Sequence, residues 1–462
     1  MTGQGGNMSK RLGKLFPLAL LCIYVFSGAG LAAEAEILTL QKAISIALTA
    51  NPDLKQVENQ FDLAKIAFKQ RKANFLPELS LMANSTHRSG KELNASSGQY
   101  RTQDSNSVTL GLSANLNLFN GFYDAASLKQ SDYERQAARG TLVRSRQTVI
   151  FETIQRYIDI ITAAELIKAE DENMKAQELQ LERIDSFYRA GKRPVADFYQ
   201  QKAEIASAQY RLINARQIAH IAKLLLLQTL GIEPHTNYQV ADPGVDRLIE
   251  KVKTFNKDNL ASQALEGRPD LKAQELQVAA VQKEIMAARA GYWPKLSLFG
   301  NLGSNYSSES EALDFSDQLF DKNMNRSFGL SLSLPLFDKF KTSLSVASSR
   351  IRLKNEEILM EKLKNQVNLE VSQSIADFQT AGQQVEVSDN QLKYSREALA
   401  SIESRYNVNA ATMAELILAR ASYLTSHQAW IGAKFNLVLR GIALAFYQGN
   451  EEAMLALLNQ GQ

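Results

Sequence analysis

The chain has little of what most protein chemistry is built from. Its 462 residues include one cysteine, Cys22, which rules out a disulfide within the chain. Cys22 also lies in a segment expected to be cleaved off, so no thiol is expected in the mature protein. The four histidines, His87, His220, His235 and His427, show no metal-ligand spacing, and neither a metal nor a cofactor is expected. No G-x-S-x-G, P-loop or histidine cluster occurs. An enzyme would have to work with paired carboxylates, as carbohydrate-active enzymes do, and among 49 acidic residues a chance pairing says almost nothing. The chain is therefore read as non-catalytic. A net charge of +3 is too small to indicate a nucleic-acid partner. Beyond the N-terminus there is no run of roughly 18 apolar residues, so ordinary transmembrane helices are not expected. A chain of this kind that crosses a membrane does so with strands.

What is present begins with a secretory signal. Lys10, Arg11 and Lys14 form a basic region, residues 15–26 an apolar one, and Ala33-Glu34-Ala35 a cleavage site, so residues 1–35 read as a signal peptide. Farther on, residues 108–119 place Val108, Leu110, Leu112, Ala114, Leu116 and Leu118 on one side of an extended strand. Thr109, Gly111, Ser113, Asn115 and Asn117 fall on the other. Residues 77–86 alternate in the same way, and the polar run 87–107 between them reads as the loop of a hairpin. The alternation returns over 294–304 and 327–337.

Elsewhere the period is helical. Residues 38–51 carry one apolar stripe, and Asn51-Pro52-Asp53 supplies a cap, a first-turn proline and a favourable charge for a second helix running to about Phe75. Over 122–189 Gly140 is almost the only breaker, while Val149, Ile150, Ile154, Tyr157, Ile158 and Ile161 keep the spacing of a packed stripe. Such a helix is a rod of about 100 Å, far longer than a compact globule needs. Gly191 ends it, and Pro194 opens a further helix over 194–230. Residues 232–257, with Pro234, Pro243 and Gly244, read as a linker. Beyond it the pattern repeats with an offset close to 218: Val367 answers Val149, Tyr406 answers Tyr188, Asn409 answers Gly191, Glu415 answers Asp197, and Gly449 answers Gly231. Repeat 1 then spans 36–231. Repeat 2 spans 258–449, with a long helix over 340–407 and a further helix over 412–447, leaving 450–462 as a C-terminal tail.

Four strands of about 9 to 11 residues suit a tilted membrane strand. Alone they cannot close, and an open edge is forbidden in lipid. Several copies must then share one barrel, two giving eight strands and three giving twelve. The segments LTLQKAISIALTANPDL at 38–54, AGYWPKLSL at 290–298, the strands ending at Phe119 and Phe337, and YRAGKRPVADF at 188–198 resemble the TolC-type outer membrane factors, over nearly the whole mature chain. The resemblance implies a mixed α and β membrane protein: a homotrimer whose 12-stranded transmembrane β-barrel, four strands per subunit, continues into a long periplasmic α-helical barrel. It implies the exit duct of a tripartite efflux pump or type I secretion system, embedded in outer-membrane lipid. The implied partners are a periplasmic adaptor of the membrane fusion class and an inner-membrane transporter of RND or ABC type. A periplasmic helical scaffold that is not a channel would explain the rods but not the amphipathic strands.

Phe75, Phe119, Tyr292, Trp293 and Phe337, with Phe122 and Phe340, stand at strand ends, where an interfacial aromatic belt would lie. The two turns that follow the long helices carry the sharpest expectation. Tyr188, Gly191, Arg193, Asp197, Tyr406, Asn409 and Glu415 are the candidates for a periplasmic gate and adaptor contact, because carboxylates repeated around a narrow pore concentrate cations and repel anions. By resemblance, Asp197, Tyr406 and Glu415 fall on positions the family uses for its entrance constriction. The sequence departs from that pattern at Ala411, where a linking arginine is expected, and at Leu418, where a second acidic ring is expected. Arg193 is available to supply charge from the other half. In the plainer alternative, Asp197 and Glu415 are exposed helix-start acids favoured by the dipole.

Overall fold

The computed structural model describes residues 36–93, 98–234, 238–242, 244, 247–250, 259–310 and 313–458. The expected signal peptide with Cys22, His235 and most of the second half of the linker lie outside the described residues. In chain order the elements are β1 (Glu36–Leu38), α1 (Leu40–Ala50), α2 (Pro52–Ala73), β2 (Glu78–Leu93), β3 (Tyr100–Asn120), α3 (Tyr123–Arg189), α4 (Val195–Leu230) and β4 (Tyr238–Val240). Then follow α5 (Leu260–Gly267), α6 (Pro269–Arg289), β5 (Lys295–Ser307), β6 (Asn325–Ser333), α7 (Lys341–Asn407), α8 (Met413–Gln448) and α9 (Glu451–Leu458).

The long helices α3 and α7 have 67 residues each, and α4 and α8 have 36 each. At 1.5 Å per residue the former are rods of about 100 Å. Asn51 caps α2 by accepting from the Leu54 amide at 2.9 Å, and its side-chain amide donates to the Thr229 carbonyl at 2.7 Å, which fastens the start of α2 to the end of α4. Gly231 ends α4 at φ 67, where an added Cβ would meet the Ala50 carbonyl oxygen at 2.5 Å.

The core is a knot about halfway along the rods. Ile150, Ile154, Tyr157 and Ile158 of α3 meet Leu226 and Leu230 of α4, Val367 and Val371 of α7, and Val438 and Ile442 of α8, with Leu38, Ala43 and Ala47 closing over them. The linker expected over 232–257 is partly structured: β4 pairs in parallel with β1, and the Tyr157 hydroxyl lies 2.9 Å from the Leu38 carbonyl oxygen and 2.6 Å from that of Ala241. The expected tail at 450–462 holds a helix instead, α9, whose Met454 is fully buried in the same core. α8 contains a window apolar enough by length and composition to cross a membrane, but more than half of that window is buried inside the chain. Its Leu437, Val438, Ile442 and Leu444 are apolar because they fill the knot.

The four long strands form one antiparallel sheet in the order β2-β3-β5-β6. Their lengths differ from those expected. β2 covers Glu78–Leu93 and β3 starts at Tyr100, so most of the presumed loop 87–107 is strand. Both faces are polar there, and alternation gives no signal. β6 ends at Ser333, short of 337, with Pro335 unable to donate to a ladder. The register shifts between Asn117 and Phe119, making Leu118 the extra residue of a bulge, outside the stripe expected for it.

The register sorts the side chains. One face carries Leu116, Leu298 and Leu330 in one row, then Leu79, Ala114, Gly300 and Phe328, then Leu81, Leu112, Leu302 and Arg326. The opposite face carries Ser80, Ser113, Asn301 and Ser327 in a row, with Asn117, Ser297 and Ser331 in another. Below the Ser304 row the apolar face is uncovered: Leu81 is 77% exposed and Phe328 89%. Neither β2 nor β6 has a second strand partner among the described residues. Beyond Ser107 the β2–β3 ladder continues as a two-stranded ribbon up to the pair Leu93 and Tyr100.

Candidate functional site

The ends of α3 and α7 are built alike. Gly191 takes φ 68 and Asn409 φ 62, the left-handed geometry that reverses a chain after a helix. The Lys192 amide donates to the Phe187 carbonyl at 2.8 Å, and the Ala410 amide to that of Arg405 at 2.8 Å. Each turn leads into a shorter helix, α4 or α8, and a small apolar cluster of Ile184, Tyr406, Ala411, Met413 and Leu416 fills the space between them.

Arg193, in the first turn, reaches across to the second. It donates to the Tyr406 carbonyl at 2.5 Å, its guanidinium stacks 3.9 Å from the centre of the Tyr406 ring, and it lies 3.4 Å from an Asp197 carboxylate oxygen. The Tyr406 hydroxyl donates to that same oxygen at 3.2 Å. The Arg193 and Asp197 side chains are 10% and 13% exposed, so the pair is desolvated. Burial, with the nearby Asp197 charge, pushes the Tyr406 hydroxyl up to about 12. Tyr188 stacks on Phe198 with ring centres 5.9 Å apart.

Glu415 stands apart from this cluster. Its carboxylate accepts from the Thr412 amide at 2.7 Å and the Thr412 hydroxyl at 2.9 Å, while the Glu415 amide donates to that hydroxyl at 3.2 Å. This is a capping box. The donated hydrogen bonds hold the Glu415 carboxyl below the usual range. Of the candidates, Arg193, Asp197 and Tyr406 are brought into one clasp, and Gly191 and Asn409 shape the turns that allow it. Glu415 caps its own helix and Tyr188 packs on the flank.

At the other end of the rods, Phe122 packs edge-on against Phe119 at 5.1 Å and against Trp293 at 6.0 Å, and Phe337 packs against Phe340 at 5.7 Å. Phe75, Tyr292, Trp293 and Phe337 are all about half exposed or more.

The profile described as "Outer membrane efflux protein" matches residues 43–232 and 260–450, one match for each half of the chain. The chain belongs to this family. The pyoverdine export outer membrane protein OpmQ of Pseudomonas aeruginosa is 26% identical over 74% of this chain and 70% of its own length. The outer membrane protein TolC of Escherichia coli is 22% identical over 96% of this chain and 89% of its own. The solved structure of CusC superposes with a TM-score of 0.77 at 18% identity, covering 89% of this chain and 92% of that one. This outer membrane efflux protein accordingly has the TolC-like fold and is an outer-membrane protein with a large helical periplasmic part.

This efflux protein also holds a polar layer, a few turns from the clasp, that sequence reasoning missed. The Gln201 side-chain amide donates to the Gln177 carbonyl at 2.8 Å and to its side-chain oxygen at 2.7 Å. Arg420 donates to that Gln177 side chain at 3.0 Å and to Glu403 at 2.6 Å. Four helices, α3, α4, α7 and α8, are tied at one level. The signal was available: Gln177 and Gln180 precede Ile184 on one helical stripe, and Arg420 sits between Leu416 and Leu424 on another.

Proposed function

We propose that three copies of this chain form a passive exit duct for an efflux pump or a type I secretion system. The observation that carries the reading is the four-stranded sheet, polar on one face and apolar on the other, with the apolar face open below its Ser304 row and both edges unpaired among the described residues. A sheet with open edges is not tolerated in lipid. Pairing β6 of one copy with β2 of the next closes twelve strands around a water-filled lumen, with the leucine rows toward lipid. From Phe119 to Val108 the apolar rows span about 34 Å of strand, about 25 Å when tilted, the height of a hydrocarbon core. The aromatic cluster of Phe75, Phe119, Tyr292, Trp293 and Phe337 then lies at the periplasmic interface.

The two halves, 36–231 and 258–449, act as repeats that each contribute one long helix and shorter ones to a helical tube. The tube ends at the two turns, where the clasp of Arg193, Asp197 and Tyr406 holds the helices together and narrows the entrance. The duct performs no chemistry; an inner-membrane transporter supplies the energy, and a periplasmic adaptor docks near the turns to loosen the clasp. The export role named for OpmQ supports this reading. Light scattering of the purified protein in detergent, followed by planar-bilayer recording, tests it. The expected result is a trimer that forms stable pores, and a water-soluble periplasmic monomer without conductance refutes it.

A further inference from the structure

The apolar face of the sheet, from the row of Phe119, Leu296 and Leu332 up to the row of Ser85, Val108 and Tyr306, carries a single charged side chain. Arg326 of β6 shares its row with Leu302, Leu112 and Leu81. A cation exposed to hydrocarbon is costly toward the bilayer centre and tolerated toward the interface, where it finds a counter-charge. No carboxylate among the described residues pairs with Arg326; its guanidinium donates to the Met324 sulfur at 3.5 Å. Asp321, the nearest acid in sequence, is engaged by Lys322 at 2.9 Å. In a closed barrel β2 of another copy lies beside β6, and its residues on that face, Leu79, Leu81, Ala83, Ser85 and His87, offer no carboxylate. The negative partner must come from outside the protein.

Position and surroundings say which partner. Arg326 stands opposite Leu302, four residues short of Tyr306 along β5. That is about 14 Å along the strand and about 10 Å in height, most of which an arginine covers by snorkelling. Above it, on the same face, the Ser304 hydroxyl donates to the Leu319 carbonyl at 2.6 Å, and the Phe315 ring packs edge-on against Tyr306 at 4.8 Å. These contacts fold the segment 315–322 over the top of the face and leave Phe320 65% exposed, while Phe328 below is 89% exposed. The result is a cation with apolar surface on both sides, open to lipid just to the outer side of the middle of the apolar band, from where its fork reaches up toward the outer leaflet.

We propose that Arg326 binds the phosphate of an outer-leaflet lipid headgroup, one lipid per subunit, with Phe320 and Phe328 against its acyl chains. A guanidinium fork is matched to phosphate and keeps its charge at any depth. The inference rests on the reading of this face as lipid-facing.

Full-length wild type, Arg326→Gln and Arg326→Lys are reconstituted into phosphatidylcholine nanodiscs doped with a phosphorylated glycolipid or with its dephosphorylated form. Native mass spectrometry then counts the lipid each assembly retains. Wild type is expected to prefer the phosphorylated form by about tenfold, Arg326→Gln to lose that preference, and Arg326→Lys to keep part of it. Equal retention of both forms by wild type, or an unchanged preference in both variants, overturns the proposal while insertion into the nanodisc leaves the barrel reading standing. Displacement of the lipid by inorganic phosphate would assign the site to a free anion and also overturns it. Failure of wild type to insert at all sinks the lipid-facing reading and this inference with it.

Discussion

Replacing Arg193 with alanine should open the periplasmic end. The side chain makes a charge-assisted hydrogen bond of 2.5 Å to the Tyr406 carbonyl, a stack 3.9 Å from its ring and an ion pair of 3.4 Å with Asp197. Removing one partner of a buried pair costs about 3 to 5 kcal/mol, and a desolvated cation over an aromatic ring is worth about 2 kcal/mol. Because the turns border solvent, Asp197 rehydrates once Arg193 is gone, and a net loss of about 2 to 3 kcal/mol is the reasonable expectation. If the clasp exists only in the closed state, the open-to-closed ratio rises about 30- to 150-fold. Single-channel recording in planar bilayers measures this directly. Arg193→Lys keeps the charge but not the flat fork, and its open probability should fall between wild type and Arg193→Ala. An open probability for Arg193→Ala within about twofold of wild type, less than about 0.5 kcal/mol, would show that the clasp does not hold the entrance.

Four further outcomes follow from the geometry. The Tyr406 hydroxyl has its folded value raised to about 12, so its contribution is intact below the ordinary value of about 10 and is lost as pH rises through about 12. Channel opening should therefore increase over that window in wild type, and Tyr406→Phe should remove the pH step. Thr412→Ala removes the cap of α8 and should cost about 1 kcal/mol, seen as faster amide exchange in its first turn. In wild type that turn should also loosen as pH falls through the depressed Glu415 value, since a lowered carboxyl stabilises above its unfolded value and not below the folded one. The double variant Asp197→Ala with Glu415→Ala should weaken cation selectivity, and unchanged reversal potentials across a salt gradient would remove both acids from the pore.

The periodic parts of this protein follow from its local sequence. A run from Tyr123 to Arg189 with Gly140 as its one breaker, copied at 341–407 with Gly382, leaves the backbone no option but a long helix, because propensity, stripe and end signals agree locally. The turns were legible for the same reason: Gly191 and Asn409 are residue types that accept left-handed geometry, and both adopt it. The alternation at 108–119 fixed which side chains share a face, up to the bulge at Leu118, which depends on how β3 pairs with β5. Where both faces of the ribbon are polar, at 87–93 and 100–107, no local signal distinguished strand from loop. The site, by contrast, is assembled by packing between distant parts of the chain. Arg193 and Tyr406 are 213 residues apart, and whether the guanidinium meets a carbonyl, a ring or water depends on two rods ending at the same height. It likewise assigned Glu415 to its own cap and Asp197 to the clasp, although the two occupy equivalent positions in the repeat. Periodicity is a property of neighbours along the chain, whereas a clasp depends on residues that only the packing of the rods brings together.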